Sequence, residues 1–243
     1  MGKLGGDRTR KREIAPTFYV TSRKKYTFIT KPSPGPHRGM ESYDAITLLR
    51  DVLGLGYTAR EIKRSIKDGM LIVDGRVRRD PAFPIGLMDV VEVKGSNTAY
   101  RMVPYKGRLL HPFMIDQDEK GVKLVRIDGK RLIKDGKVQL GTSDGRTLLV
   151  SDGSKYSVGD SILIRVPSQE IIQAIKLNRD ALALVIKGSH LGKQIVIKEV
   201  LQGRLTRRSM IITDMDGKDI TLPRDYVMAV GSKQPLVKLP LVV

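Results

Sequence analysis

The chain contains no cysteine and no tryptophan. Without cysteine there is no disulfide framework and no thiolate-based metal site. Imidazole is also scarce: His37, His111 and His190 lie in three separate segments, so no metal-ligand spacing arises, and they read as surface or partner-facing side chains. No metal and no cofactor are expected. Aromatic residues make up only 5% of the chain, which favours several small aliphatic-packed modules over one large core. No run approaches the ~20 apolar residues of a membrane span. The N-terminus lacks the apolar core of a signal peptide, and no amphipathic stretch carries bulky anchors for a lipid surface. Neither a membrane partner nor a small-molecule substrate is expected, and the phosphate-cradling pattern Gly-x-x-x-x-Gly-Lys-Ser/Thr is missing.

Positive charge is what the chain has in excess. Lys and Arg number 44 against 26 Asp and Glu, a formal net charge of +18 over 243 residues. An ordinary enzyme rarely carries that imbalance, whereas a chain that neutralises phosphates needs it. The excess is uneven. Residues 1–40 hold ten basic and two acidic side chains, 41–94 nine of each, 95–177 fourteen against nine, and 178–243 eleven against six. Those stretches are the expected units: a basic extension, a helix–helix–hairpin module, a central β domain and a small β-barrel. The expected fold class is α+β, built from several modules.

Residues 1–40 show almost no apolar period. Arg8, Arg10, Lys11 and Arg12 form one basic run and Arg23, Lys24 and Lys25 a second, and Lys31-Pro32-Ser33-Pro34-Gly35-Pro36-His37-Arg38 cannot be helix. This extension has no core of its own and is expected to order only when laid along phosphates, with Phe18, Tyr19, Tyr26 and Phe28 as local anchors.

At Ser42 the period changes. Ile46, Leu48, Leu49, Val52 and Leu53 predict a first helix capped by Ser42 and ended by Gly54 and Gly56. Thr58-Ala59-Arg60-Glu61 is a capping box that opens a second helix, with Tyr57 able to staple onto Ile62 and Gly69 placed as the C-terminal cap. Ile62 and Ile66 face inward, which leaves Arg60, Lys63, Arg64 and Lys67 on one broad outer face. Like charges so placed cost an isolated helix a few tenths of a kcal/mol per pair, a penalty that a phosphate backbone reverses. Met70–Val73 then reads as a strand, Asp74-Gly75 as a type I′ turn, and Asp89–Val93 as a returning strand.

Beyond residue 95 the pattern is short strands. Asp128-Gly129, Asp135-Gly136, Asp144-Gly145 and Asp152-Gly153 recur between apolar or alternating runs and predict hairpins in a small barrel or sandwich. These aspartates are turn formers before they are anything catalytic. Further on, two apolar runs flank Lys187-Gly188-Ser189-His190-Leu191-Gly192-Lys193, where Gly188 and Gly192 permit positive φ. Arg204, Arg207 and Arg208 follow as a basic cluster, then a hairpin is expected at Asp216-Gly217.

Residues 41–93 resemble the alpha-L RNA-binding motif, which has two helices, a small sheet, a basic second helix and an N/D-G turn. The resemblance puts its RNA face on Arg60, Lys63, Arg64 and Lys67, flanked by Arg50, Arg76, Arg78 and Arg79. The strand–loop–strand at 182–197 resembles a KOW element of a small Src-homology-like barrel. A Pro-Ser-Pro-Gly-Pro-His tail, Asp-Gly-Arg-Val-Arg and Pro-Ile-Gly-Leu-Met-Asp-Val, followed by a β domain and a KOW barrel, resemble the fourth e-type family of small ribosomal subunit proteins. The chain stops soon after the barrel, so the archaeal form is the expected match. This resemblance implies a non-enzymatic cytoplasmic ribosomal protein whose partners are small-subunit ribosomal RNA and neighbouring small-subunit proteins. Two other classes compete. A pseudouridine-synthase-like RNA-modifying enzyme would carry Gly-Arg-Leu-Asp, against which Gly107-Arg108-Leu109-Leu110 lacks the acid. A KOW transcription elongation factor would associate with RNA polymerase instead.

Overall fold

The computed structural model describes residues 9–22, 24–133, 136–203, 208–215 and 217–240. Strand dominates, and apart from single 3₁₀ turns, helix among these residues is confined to 45–52 and Ala59–Lys67. The α+β expectation therefore holds only coarsely: the protein is mostly β with few helices.

Three five-stranded antiparallel sheets carry the chain. The first orders Arg76–Arg78, Leu71–Val73, Val90–Val93, Ala99–Tyr105 and Arg108–Ile115. The second orders Thr147–Val150, Val138–Thr142, Val122–Leu132, Ser161–Arg165 and Ile171–Ile175, and the third Lys218–Pro223, Met210–Met215, Gln194–Leu201, Leu182–Val185 and Val227–Gly231. The first sheet does not stop at the expected boundary of residue 94. Val90–Val93 pairs with Ala99–Tyr105, which pairs in turn with Arg108–Ile115, so the sheet runs on to Ile115. The apolar cores also cross between units. Met88 in the turn before Val90–Val93, Val103 of the first sheet and Leu124 and Leu163 of the second join the cluster built around Val185, Ile197 and Val227.

Local chemistry explains which turns the sequence forecast correctly. Asp74 and Gly75 both have positive φ, 51° and 71°, the signature of a type I′ turn, and Leu71 pairs with Arg78 across it. Asp144-Gly145 likewise joins two paired strands. Asp128-Gly129 makes no turn. It lies inside the strand Val122–Leu132, where the register shifts between Ile127 and Gly129 as the strand passes from one neighbour to the other. Asp152-Gly153 lies in the loop between Thr147–Val150 and Ser161–Arg165. The expected turns at Asp135-Gly136 and Asp216-Gly217 each include a residue outside those described.

The first helix is shorter than its apolar spacing predicts. Tyr43–Asp44 is a two-residue strand, and the helical turn Ala45–Thr47 widens at once into Leu48–Val52, where the Leu53 amide donates to the Leu48 carbonyl five residues back. The cap is Asp44, whose carboxylate accepts from the Thr47 amide at 2.9 Å, while Ser42 donates its hydroxyl to the Arg38 carbonyl. The second helix follows expectation: Glu61 N donates to Thr58 Oγ1 at 3.2 Å, and Gly69 has φ +82°. The Glu61 carboxylate reaches back to the Tyr57 amide, but the Tyr57 ring is 93% exposed and makes no staple. Gly56 takes that place, lying directly beneath Ile62.

The extension has more structure than its composition promises. Thr9–Lys11 pairs with Phe28–Thr30, and Phe18, Tyr19 and Ile29 are buried in one cluster with Tyr43, Leu48 and Ile66. The Tyr43 hydroxyl donates to the Phe18 carbonyl at 2.6 Å, and the Phe18 and Tyr43 rings meet edge-on. So Phe18 and Tyr19 are core residues of the module as well as anchors of the extension. Phe28 stays 57% exposed.

Asp44 also receives the Tyr19 hydroxyl, and burial pushes its carboxyl up to about 6 despite the hydrogen bonds it accepts. A carboxyl raised in the folded state contributes stability at low pH that is lost as pH rises through the folded value. Asp44→Asn retains a capping oxygen and removes the titration. Relative to the native chain, the variant is expected to gain about 1 kcal/mol in unfolding free energy between pH 5 and pH 7.5. Urea titrations at the two pH values check this, and a constant difference would refute it.

Candidate nucleic-acid interface

The second helix buries Ile62 and Ile66 against the module core and turns Arg60, Lys63, Arg64 and Lys67 outward, all four exposed. The Arg64–Asp68 approach is 4.0 Å between largely solvated side chains, too weak to occupy the arginine. Tail and helix meet here. Arg10, Lys31, Arg38 and Lys63 line one open cleft of about 1010 Å³. Arg10 is fixed in it by hydrogen bonds to the Gly39 carbonyl, and Lys11 beside it is exposed.

Two predicted contact residues point elsewhere. Arg12 is buried, with its guanidinium donating to the Thr21 carbonyl at 2.6 Å and the Tyr19 carbonyl at 3.1 Å. It braces the tail from inside because the chain folds back around it. Arg50 makes a two-point contact with Asp51 at 2.9 and 2.8 Å and lies 4.3 Å over the Tyr26 ring. Its side chain is therefore held within the module. On the hairpin, Arg76 and Arg79 are exposed and Arg78 is half-buried on the Phe83 ring.

In the third sheet's first loop, Gly188 and Gly192 have φ +91° and +89°. A side chain at Gly192 would press on the backbone of Pro104 and Tyr105, so the loop seats directly on the first sheet. Lys187 pairs with Glu41 at 2.7 Å, His190 is half-buried and Lys193 exposed. Lys187 and Arg208 line a second cleft of about 680 Å³ together with Arg38, Arg126 and Arg224. Arg8, Arg204 and Arg207 lie outside the described residues.

The largest feature missed from sequence is a buried ion cluster. Lys123, 1% exposed, has Nζ 2.8 Å from Asp74, 2.5 Å from Asp89 and 3.0 Å from Asp144. Arg146 completes it, 2.8 Å from Asp144 and also bonded to Asp74. His37 is not a surface histidine: its Nε2 sits 2.9 Å from Asp89, and its ring covers Gly86 so closely that a methyl there would overlap it. Burial opposes ionisation of Asp89, but His37 and Lys123 outweigh it and hold the carboxyl well below its usual range. Burial likewise pulls Lys123 down, and Asp89, Asp74 and Asp144 overcome it and raise the ammonium. Asp74 and Asp144 have the turn positions expected of them, yet their carboxylates serve this cluster. No sequence period links the members, because the partners come from the tail, the first sheet and the second.

Fold and surface together define a basic, multi-sheet protein whose ionisable core is structural. Three family descriptions match it: the RS4NT domain over residues 5–39, the S4 domain over 47–91, and ribosomal family S4e over 96–171. The small ribosomal subunit protein eS4 of Ignicoccus hospitalis is 37% identical over 97% of this chain and 96% of its own. That of Aeropyrum pernix is 38% identical over 99% and 98%. The crystal structure of 30S ribosomal protein S4e from Thermoplasma acidophilum superposes with a TM-score of 0.68 at 28% identity, covering 79% of this chain and 96% of that one. The chain belongs to ribosomal protein family S4e, a family of structural ribosomal proteins, not enzymes.

Proposed function

We propose that this protein is a structural constituent of the small ribosomal subunit in the cytoplasm, binding folded ribosomal RNA and contacting neighbouring small-subunit proteins. The observation that carries this reading is the outer face of the second helix, where Arg60, Lys63 and Lys67 are exposed without an ion pair among the described residues and Lys63 shares the tail cleft with Arg10, Lys31 and Arg38. RNA duplexes close their deep major groove to side chains, so proteins grip them by shape, phosphates and 2′-hydroxyls. Rigid basic faces suit that task. Reading residues 41–93 as an alpha-L motif and 182–197 as a KOW element belongs to this proposal. It is supported by the S4-domain match, the Asp74-Gly75 turn and the positive-φ glycines of the third sheet's first loop. The modifying-enzyme alternative loses ground at Leu110, which stands where that family needs an acid and is 1% exposed in the core.

Sedimentation of a cell lysate tests the proposal. The protein is expected to travel with small subunits at low salt and to leave them as salt rises. Recovery at the top of a low-salt gradient would defeat it.

A further inference from the structure

The strand Arg76–Arg78 alternates its side chains. Val77 packs over Gly69, while Arg76 and Arg78 line a cleft of about 310 Å³ together with Arg146 and Gln169, from turns of the second sheet, and the Lys123 cluster. Three carboxylates line this cleft, and each is already ion-paired to a cation. Asp74 accepts from Val90 N, Lys123 and Arg146, Asp89 from Gly86 N and Lys123, and Asp144 from Thr142, with Lys123 and Arg146 ion-paired to it. The rim is the opposite. The Arg76 side chain makes no ion pair or hydrogen bond among the described residues. Among the described residues, Arg78 Nε is buried without an acceptor, and its guanidinium lies 4.5 Å from the Phe83 ring. Burial, reinforced by Arg76 and Arg146, pulls the Arg78 guanidinium below its usual range. Crowded cations with an unused buried N–H make a site that lacks an anion.

We propose that Arg76 and Arg78, facing Arg146 and Gln169, form a slot for one backbone phosphodiester of RNA. Guanidinium forks match a pair of phosphate oxygens in a way that a point charge does not, and Arg78 Nε–H supplies a third donor. A polymer is favoured over a free anion because Arg79, on the opposite side of the hairpin over Gly69, sets a second basic group at the end of the basic helix, which a chain can reach from the slot and a single anion cannot. The inference rests on the RNA-binding reading above and adds to it: a phosphate held here bridges the hairpin of the first sheet to the second sheet.

The test compares full-length native protein with Arg76→Gln/Arg78→Gln and Arg78→Lys on a transcript of small-subunit ribosomal RNA across a salt series. The double variant is expected to lower the slope of log affinity against log salt by ~0.7–0.9 for the lost phosphate, with its melting temperature unchanged. Arg78→Lys keeps the slope and binds more weakly, because it retains charge and loses the fork. If native protein binds and the double variant matches it in slope and affinity, the slot is wrong and the RNA reading stands. If native protein does not bind, both fall. Should the double variant unfold, the Arg78 Nε–Hε NMR signal of the native chain decides. It is expected to shift with an RNA hairpin. No shift, or a shift with inorganic phosphate alone, overturns the assignment.

Discussion

Replacing Lys123 with methionine is expected to destabilise the protein by about 3–5 kcal/mol at neutral pH, the range for breaking a buried ion pair from one side. The side-chain volumes are similar, so the loss is electrostatic: Asp74, Asp89 and Asp144 would share only Arg146 and His37. For a chain of this length, that corresponds to a fall in melting temperature of about 10 °C or more. The pH dependence identifies the cause. In the native chain, Asp89 and Asp144 are held below their usual range, so the stability they contribute is present above about pH 4 and lost as pH falls through their folded values. Lys123 is raised, so its share persists through neutral pH and is lost only as pH climbs through its folded value. Without the ammonium the carboxylates protonate more readily, and the gap between variant and native chain narrows on acidification. Calorimetry from pH 4 to 8 reads both effects. A loss under about 1 kcal/mol, or a gap that ignores pH, contradicts this account of the cluster.

The second large effect is on binding. Changing Arg60, Lys63, Arg64 and Lys67 together to glutamine is expected to reduce affinity for small-subunit ribosomal RNA by about 10²–10³-fold near 0.1 M salt. The log–log salt slope should fall by about 3, since each phosphate contact contributes ~0.7–0.9. Stability should hold or rise slightly, because the four side chains are exposed and repel one another along the helix. Filter binding across a salt series, with a parallel thermal melt, separates the two readouts. Unchanged slope and affinity would remove this helix from the contact surface.

Local rules made part of this molecule legible from its residues. The Thr58–Glu61 cap, the Gly69 stop and the Asp74-Gly75 turn depend on neighbours a few residues away, and each appears where expected. Asp128-Gly129 shows the limit: the same dipeptide lies within a strand because pairing on both flanks overrides its turn preference. The tail defeated composition for a similar reason. Phe18 and Tyr19 find their core in Tyr43 and Leu48, beyond the window in which a period could be read. The basic site divides along the same line. Helical spacing correctly placed Arg60, Lys63, Arg64 and Lys67 outside, whereas only tertiary contacts reveal that Arg12 and Arg50 are occupied internally. The non-enzymatic ribosomal reading, drawn from motif order and charge, agrees with the S4e family to which the chain belongs.

The ion cluster also has a direction in time. Asp89 precedes Lys123 by 34 residues, and Asp74 precedes Lys123 by 49 and Arg146 by 72. A chain made from its N-terminus presents these carboxylates well before Lys123 and Arg146. Residues 41–94 therefore cannot reach their final electrostatic state as a nascent fragment. Completion waits until the second sheet has emerged and folded back, which ties maturation of the helix-bearing unit to synthesis of the strands that follow it.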